Sequence, residues 1–157
     1  NSVEYMNKVV ELFLFVFTMF VMTSCVVETS DNGDLDGFWH LEQVDTLATG
    51  GTCNLANKRI FWSFQHRLIQ VSNYELFHDM RNYYMRFEQT NDSLFITSVF
   101  RYHSYLQYES DVQVTEMVDS LRSCGINDLN EHFEKEILKR GKMQLKGKTL
   151  RLKFKKF

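Results

Sequence analysis

Two hydrophobic patterns divide this chain of 157 residues. Between Val9 and Met22 apolar residues follow one another almost without a break, preceded by the basic residue Lys8. From Phe38 onward apolar and polar positions alternate with a period of two, which is typical of β-strands that expose one face to water. The apolar run spans 14 residues. A membrane-spanning helix needs roughly 20, so the run predicts a removable N-terminal segment before a β-domain.

The alternation predicts two β-hairpins. Segments 83–88 and 94–97 both alternate, and the polar residues 89–93 between them predict a turn. Segments 142–145 and 149–157 flank a Lys-Gly-Lys sequence and predict a second hairpin. We therefore expect a sheet built from antiparallel neighbours.

The last predicted strand has an apolar face and a charged face. Its alternating residues are Leu150, Leu152 and Phe154 on one side and Arg151, Lys153 and Lys155 on the other. An antiparallel sheet with one wet side has this pattern. We interpret the lysines as residues that keep an exposed strand from pairing with another edge.

One segment has helical spacing. Its apolar residues Val114, Met117, Val118 and Leu121 recur at intervals of three and four. Ser110 and Gln113 fit a capping box, and Gly125 suits the position that ends a helix. We predict a helix over 111–124, with a short additional helical turn at 127–132.

These elements predict a mainly β fold. Seven or eight strands, with one or two short helices before the last strands, favour a small antiparallel up-and-down β-barrel, because closure removes the open edges of a sheet. The part of the chain after the apolar run has roughly 130 residues, which is enough for one domain with one core.

Composition limits the function classes. The formal net charge is −2, which excludes a globally basic nucleic-acid binder. Ten of the eighteen Lys and Arg residues lie between 135 and 156, and we attribute them to exposed strands rather than to nucleic-acid binding. The chain has no proline, which disfavours a Pro-rich linker or a second domain.

The sequence around Cys25 predicts where the protein is located. Thr23 and Ser24 stand directly before Cys25 at the end of the apolar run. This order resembles the lipoprotein signals of bacteria, whose cysteine becomes the lipidated N-terminus after cleavage. Ser24 in place of the usual Gly or Ala is similar to the variant of Bacteroidetes, and Met22 stands where Leu is commonest.

The resemblance implies an exported lipoprotein of the bacterial outer membrane, facing the periplasm or the cell surface and anchored through Cys25. Residues 1–24 would be the signal peptide, with 1–5 an upstream extension of the gene. Residues 28–34 are polar and include three acidic residues, so we expect 25–36 to form the lipidated cysteine and a flexible tether before the domain 37–157. The alternative is a plain secretory signal or a membrane anchor in which Cys25 is incidental.

Gly37, Phe38 and Trp39 stand at the entrance of the first strand, directly after the tether. A Gly-x-Trp in this place, followed by antiparallel hairpins and a basic residue on the last strand, resembles the lipocalin group. Segments 35–45 and 150–157 are similar to lipocalin-like lipoproteins of Bacteroidetes. In that family the Trp closes one end of the barrel under an Arg of the last strand, which implies these roles for Trp39 and Arg151. The family's Thr-Asp-Tyr motif is absent, and the predicted helix precedes the last hairpin.

Two cysteines remain besides Cys25. Cys53 and Cys124 would close a loop of about 70 residues, worth roughly 4 kcal/mol in the chain-entropy model of disulfides. An exported compartment permits this bridge, and two isolated cysteines are equally compatible with free thiols. The sequence leaves both alternatives open.

No motif points to a reaction. Segment 141–149 is similar to a phosphate-binding loop, but five residues rather than four separate its glycines and a strand follows instead of a helix. The five histidines show no metal spacing, and nucleophile-elbow and zinc-protease motifs are absent. We expect no enzyme activity, no metal and no cofactor.

Three tyrosines are the candidate binding residues. Tyr102, Tyr105 and Tyr108 combine apolar rings with a hydroxyl group, which suits small amphiphilic ligands. At the open end of the barrel, away from Trp39, they would hold a small apolar or amphiphilic ligand, with the predicted helix as a lid.

The alternative function is that of a filled barrel. The expected inward positions carry bulky residues such as Trp62 and Phe64, and an eight-stranded barrel has an interior just wide enough for its own side chains or one small ligand. A filled barrel would be a non-catalytic structural or interaction lipoprotein whose outer face contacts another envelope component or a glycan. In both cases we expect a monomer.

Overall fold

The computed structural model describes residues 2–21, 30–75, 83–101 and 112–157. Helix α1 (Ser2–Val21) lies within the predicted signal segment. In the described part of the chain, no helix is long and apolar enough to cross a membrane.

Ten strands follow among the described residues. Their bounds are β1 (Gly37–Thr46), β2 (Thr52–Asn54), β3 (Ile60–Gln65), β4 (Leu68–Asn73), β5 (Tyr83–Gln89), β6 (Ser93–Arg101), β7 (Val112–Gln113), β8 (His132–Lys139), β9 (Lys142–Lys146) and β10 (Leu150–Lys156). A 3-10 turn (Gly33–Leu35) precedes β1, and a short helix α2 (Asp119–Arg122) stands between β7 and β8.

Eight of these strands form a closed antiparallel barrel. The order is β1-β3-β4-β5-β6-β8-β9-β10. The last strand returns to the first, with Trp39 opposite Lys156 and Thr46 opposite Leu150. The short strands add to it at two places, because β2 pairs with β1 and β7 pairs with β6. The predicted mainly β, antiparallel barrel is confirmed.

The alternating pattern explains the core. On β3 the side chains of Ile60, Trp62 and Phe64 point inward and are at most 3% exposed, whereas Phe61 and Ser63 between them face outward. Aromatic and β-branched residues suit such half-buried strands. The inward residues of the eight barrel strands form one hydrophobic cluster inside the barrel.

Both predicted hairpins are present. β5 and β6 flank the predicted polar turn, where the Thr90 hydroxyl accepts a hydrogen bond from the Ser93 amide and donates one to the Asp92 carboxylate. β9 and β10 flank the predicted turn at Gly147. Short polar side chains stabilise such turns by replacing hydrogen bonds that the strand ladder cannot supply.

The predicted helix over 111–124 is wrong. The described residues of this segment begin with β7, continue without regular structure and include only the single turn of α2. Val114 and Met117 are partly buried against the core, and Leu121 is fully buried. The apolar spacing therefore reflects an irregular segment that packs on the barrel. Residues 127–132 do not form the predicted helical turn either.

The interpretation of the β10 lysines as edge protection is also wrong. β10 pairs with β9 on one side and with β1 on the other, so barrel closure leaves no edge there. Two outward cations of this strand instead contact carboxylates of neighbouring strands. Arg151 binds Glu136, and Lys153 binds Asp45.

Candidate functional site: the two ends of the barrel

Trp39 is buried at the end of the barrel at which β1 begins. Its side chain is 1% exposed, and its Nε1 donates a hydrogen bond of 2.8 Å to the carbonyl of Leu35 in the 3-10 turn. The Lys156 ammonium lies 5.1 Å from the centre of the Trp39 ring, within the range of a cation–π interaction. We call this the closed end.

Gly37 makes room for Lys156 at the closed end. Its φ is +117°, which favours glycine. A Cβ atom on Gly37 would also lie 2.8 Å from Cε of Lys156. The Gly-x-Trp sequence therefore has a local reason: the absent side chain lets the lysine stem pass over the strand to the indole ring.

The role that the lipocalin resemblance implied for Arg151 belongs to Lys156. Arg151 faces outward and binds the Glu136 carboxylate through Nε and Nη2, at 2.7 and 2.9 Å. Leu152 and Phe154 face inward, so the same alternation places Lys156 on the core face of β10. This signal was present in the sequence and identifies the residue that sequence analysis missed.

The segment before β1 is hydrogen-bonded to the closed end. Ser30 Oγ donates to Asp36 Oδ1 at 2.5 Å and accepts from the His66 amide at 2.7 Å. Asn32 Nδ2 donates to Asp36 Oδ1 at 2.7 Å and to the His66 carbonyl. Burial alone would raise the pKa of Asp36, but these hydrogen bonds from Ser30 and Asn32 lower it overall. The part of the predicted tether from residue 30 onward is thus fixed to the barrel.

At the far end, segment 114–131 lies against the barrel. The Trp62 indole donates to the carbonyl of Cys124 at 3.1 Å, and Asn73 Nδ2 donates to Ser123 Oγ at 3.1 Å. The hydroxyl groups of Tyr83 and Ser120 share a hydrogen bond of 2.6 Å. Inward side chains of β3, β4 and β5 thereby hold the segment in place.

Glu131 ties this segment to the β9–β10 turn. It is 6% exposed and accepts hydrogen bonds from the amides of Asn127, Asp128 and Lys148. Burial raises its pKa, and those amides offset the rise only in part. Gly147 is required here, because a Cβ atom would lie 2.8 Å from Glu131 Oε1.

Aromatic rings fill the interior between the two ends. The centre of the Trp62 ring lies 5.1 Å from that of Phe154, 6.0 Å from that of Phe133 and 6.3 Å from that of Phe64. Phe64 in turn contacts Phe87 edge to face at 5.6 Å. These inward aromatic residues are at most 4% exposed. Among the described residues the interior is packed as a core.

Cys53 and Cys124 are free thiols. Cys53 is exposed on β2, whereas Cys124 is buried in the segment at the far end. Burial raises the pKa of the Cys124 thiol to about 11, with a small opposing effect of the Ser123 hydroxyl. The disulfide between Cys53 and Cys124, one of the two alternatives that the sequence allowed, is not formed.

Two sets of candidate residues lie outside the described part of the chain: Cys25, and the tyrosines Tyr102, Tyr105 and Tyr108. A groove of about 240 Å³ lies at the far end, between Tyr83, Arg101 and segment 112–118. No group of three His, Cys, Asp or Glu side chains within the described ranges could hold a metal ion.

Comparisons with known proteins agree with this architecture. A family model described as "Lipocalin-like domain" matches residues 20–157. A lipocalin-like protein from Bacteroides uniformis is 18% identical, with a TM-score of 0.57, over 80% of this chain and 100% of its own. An uncharacterized protein from Bacteroides eggerthii is 16% identical, with a TM-score of 0.53, over 78% of this chain and 99% of its own. No curated protein matches.

Proposed function

The chain belongs to the lipocalin-like domain family, and we propose that it is a lipid-anchored protein of the bacterial envelope whose solid barrel acts through its outer surface. It would be exported, acylated at Cys25, non-catalytic and monomeric. Its partner would be another component of the envelope.

The filled interior is the observation that carries this proposal. A ligand inside the barrel would need an open interior, because ligand pockets usually enclose about 300–1,000 Å³. The described inward side chains of this barrel instead pack against one another. Trp62 and Trp39 are buried to 0% and 1% exposure and use their indole N–H groups to bind main-chain carbonyls inside the protein. Bulky residues in these positions favour contacts of the outer surface over ligand storage.

The envelope location is supported by the sequence before the barrel. Thr23, Ser24 and Cys25 follow an apolar run that begins after Lys8. Ser30, five residues after Cys25, is already bound to the closed end. An anchored Cys25 would therefore hold that end of the barrel close to the membrane.

A small amphiphilic ligand at the far end is the second candidate function. The groove beside Tyr83 and Arg101 has about 240 Å³, and it combines an apolar wall, Val112, with polar groups. Fatty acids, bile-acid-like amphiphiles and short glycans can be screened by thermal shift. A saturable rise in Tm that Tyr105→Ala and Tyr108→Ala abolish, with both variants folded, would favour this second function.

Acylation is tested on the full chain expressed in a bacterial host. The protein extracted from membranes should have the mass of the chain from residue 25 plus acyl groups, and Cys25→Ser should leave the membrane fraction or keep its uncleaved signal. Cys53→Ser is the matched control and should behave as the wild type. An unmodified mass together with unchanged membrane partitioning of Cys25→Ser would overturn the proposed anchor.

A further inference from the structure

Three lysines form a row across neighbouring strands on the outer face of the barrel. Lys139 on β8 is directly opposite Lys142 on β9, and Lys142 is directly opposite Lys155 on β10. All three are exposed, and none has an acidic partner within 4.0 Å in the described part of the chain. Arg140, in the turn between Lys139 and Lys142, is also exposed. We call these four residues the basic row.

Three other cations of β9 and β10 have acidic partners. The pairs join Arg151 to Glu136 at 2.7 Å, Lys146 to Glu134 at 3.2 Å and Lys153 to Asp45 at 2.9 Å. Like charges directly opposite each other on antiparallel strands destabilise a sheet. The basic row therefore departs from the charge pairing of its own surroundings and is complementary to an external anion.

Aromatic side chains continue the row around the barrel. Lys155 is opposite His40 on β1, and His40 is opposite Phe61 on β3. Phe38 stacks on Phe61 at 4.6 Å, and Phe157, 87% exposed, contacts both rings edge to face. Cations beside exposed aromatic rings are typical of surfaces that lie at the boundary of a lipid bilayer.

The basic row adjoins the closed end. The amide of Lys156 donates to the carbonyl of Gly141 next to Arg140, and the Lys156 ammonium donates to the carbonyl of Asp34 at 3.3 Å. Ser30 is bound at the same end. Five residues span at most about 18 Å, so a lipid on Cys25 would bring this end to the membrane.

We propose that the closed end faces the membrane and that the basic row binds the phosphate headgroups of anionic phospholipids, an inference that rests on the proposed anchor at Cys25. The lipid chain supplies attachment, and the lysines fix the orientation of the barrel. A single acyl signal combined with basic residues is a common route to stable membrane contact. The far end, with segment 114–131, would then point away from the bilayer.

Lysine footprinting tests the orientation. The full chain, purified from bacterial membranes with its mature N-terminus checked by intact mass, is placed in vesicles of phosphatidylcholine with or without phosphatidylglycerol. Acetylation of Lys139, Lys142 and Lys155 should fall roughly fivefold when the anionic lipid is present and recover at high salt. Lys146 and Lys148, at the other end of the same hairpin, should react equally in both vesicles.

A matched pair of double variants separates charge from position. With Lys142→Gln and Lys155→Gln, the remaining Lys139 should lose its protection, whereas Lys146→Gln and Lys148→Gln should leave it unchanged. Equal protection in both vesicle types would mean that the anchor alone shields the row and would overturn headgroup binding. Protection in native membranes but in neither vesicle would assign the row to a protein partner and also overturn it.

Failure of the anchor is distinguishable from failure of this inference. If the mature protein carries no acyl group, the proposed anchor is wrong. Sedimentation of that same protein with the two vesicle types still measures whether the basic row binds anionic lipid. Salt-sensitive binding only to the anionic vesicles would support the row as a lipid surface. Absence of binding would overturn it.

Discussion

The Lys156 ammonium lies 5.1 Å from the centre of the Trp39 ring, and the two residues are opposite each other on β10 and β1. These strands are the last and the first of the barrel, so this contact lies where the sheet closes on itself. Trp39 also donates to the carbonyl of Leu35, which links the barrel wall to the turn beneath it. The pair therefore connects the pairing of β1 with β10 to the 3-10 turn at the closed end.

Removing the indole ring of Trp39 should lower the free energy of unfolding substantially. Trp39→Ala leaves a cavity and an unpaired carbonyl at Leu35, so we expect a loss of about 3–5 kcal/mol in the free energy of unfolding. Phe38→Ala removes the exposed neighbouring ring and is the control, with an expected loss of about 1 kcal/mol or less. Denaturant titration measures both, and a loss below about 1 kcal/mol for Trp39→Ala would contradict the role of Trp39.

A side chain on Gly37 should displace Lys156. Gly37→Ala meets two obstacles, a φ of +117° and an approach of 2.8 Å to Lys156 Cε. We expect a loss of about 1–3 kcal/mol. Lys156→Ala in the same chain removes the steric contact but not the backbone strain, so it should make Gly37→Ala less costly without making it neutral. Thermal unfolding of the wild type, the two single variants and the double variant gives the coupling free energy between the two positions. Strictly additive losses would contradict the contact.

The sequence predicted the barrel because alternation with period two is local. Each of β3, β5 and β10 carries its own apolar face, so no knowledge of partners was needed. Position across the sheet depends on register, which no single strand determines. Alternation within β10 already places Arg151 on the outward face and Lys156 on the core face, so the role of Arg151 at Trp39 followed from the family resemblance and not from the strand pattern. Register, in contrast, is what brings Lys139, Lys142 and Lys155 together, and no single strand predicts that row.

Two other features depended on contacts distant in sequence. Ser30 and Asn32 have the composition of a flexible linker, but their partner His66 lies more than thirty residues away. Met117 and Leu121 have helical spacing, but burial against the core outweighs the weak helix preference of this short segment. In both cases tertiary contacts outweigh local pattern.

Arg151 should stabilise the folded protein through its contact with Glu136 and not through Trp39. Its hydrogen bonds are the largest influence that lowers the pKa of Glu136 below the ordinary 4.5. This stabilisation is present above the unfolded-state pKa and is lost as the pH falls through the lower folded-state value. Arg151→Met should cost about 1 kcal/mol at pH 7 and less in acid.

The control for Arg151 is Lys155→Met, which removes a cation of the same strand that has no acidic partner. It should change the free energy of unfolding little at any pH. Fluorescence of the buried tryptophans should be unchanged in Arg151→Met. An altered Trp39 environment in that variant would contradict the assignment of Lys156 to the indole ring.

Glu131 should give the opposite pH dependence. Burial raises its pKa in the folded protein, so the native state binds more protons than the unfolded chain, and this contribution falls as the pH rises above 4.5. Glu131→Gln should therefore gain stability relative to the wild type as the pH rises from 4.5 to the raised folded-state pKa, with a slope of at most about 1.4 kcal/mol per pH unit, and the difference should then stay constant.

The exposed neighbour Glu134 provides the matched control for Glu131. Glu134→Gln removes an exposed carboxylate whose partner is the partly exposed Lys146, so its effect on the free energy of unfolding should be small. Urea midpoints across the pH range measure both variants. If Glu131→Gln changed the urea midpoint by the same amount at every pH, the buried carboxylate would keep an ordinary pKa and the prediction would be wrong.

A solid barrel should bind small apolar probes only after a cavity is made. Phe64 is 2% exposed and packs against Trp62 and Phe87. Phe64→Ala should lose about 3–5 kcal/mol and open an apolar space, because engineered cavities of this kind stay dry and take up benzene or xenon. The milder Phe64→Leu keeps the fold testable if the larger truncation does not fold.

Thermal shift with benzene and xenon-dependent NMR shifts then separate the two proposed functions. The wild type and Phe61→Ala, which removes the outward ring of the neighbouring position on β3, should show no saturable uptake. Phe64→Ala should show it, since only that variant lacks core volume. If the wild type binds the probe as tightly as Phe64→Ala, its interior already holds open space, and ligand binding within the barrel takes precedence over action through the outer surface.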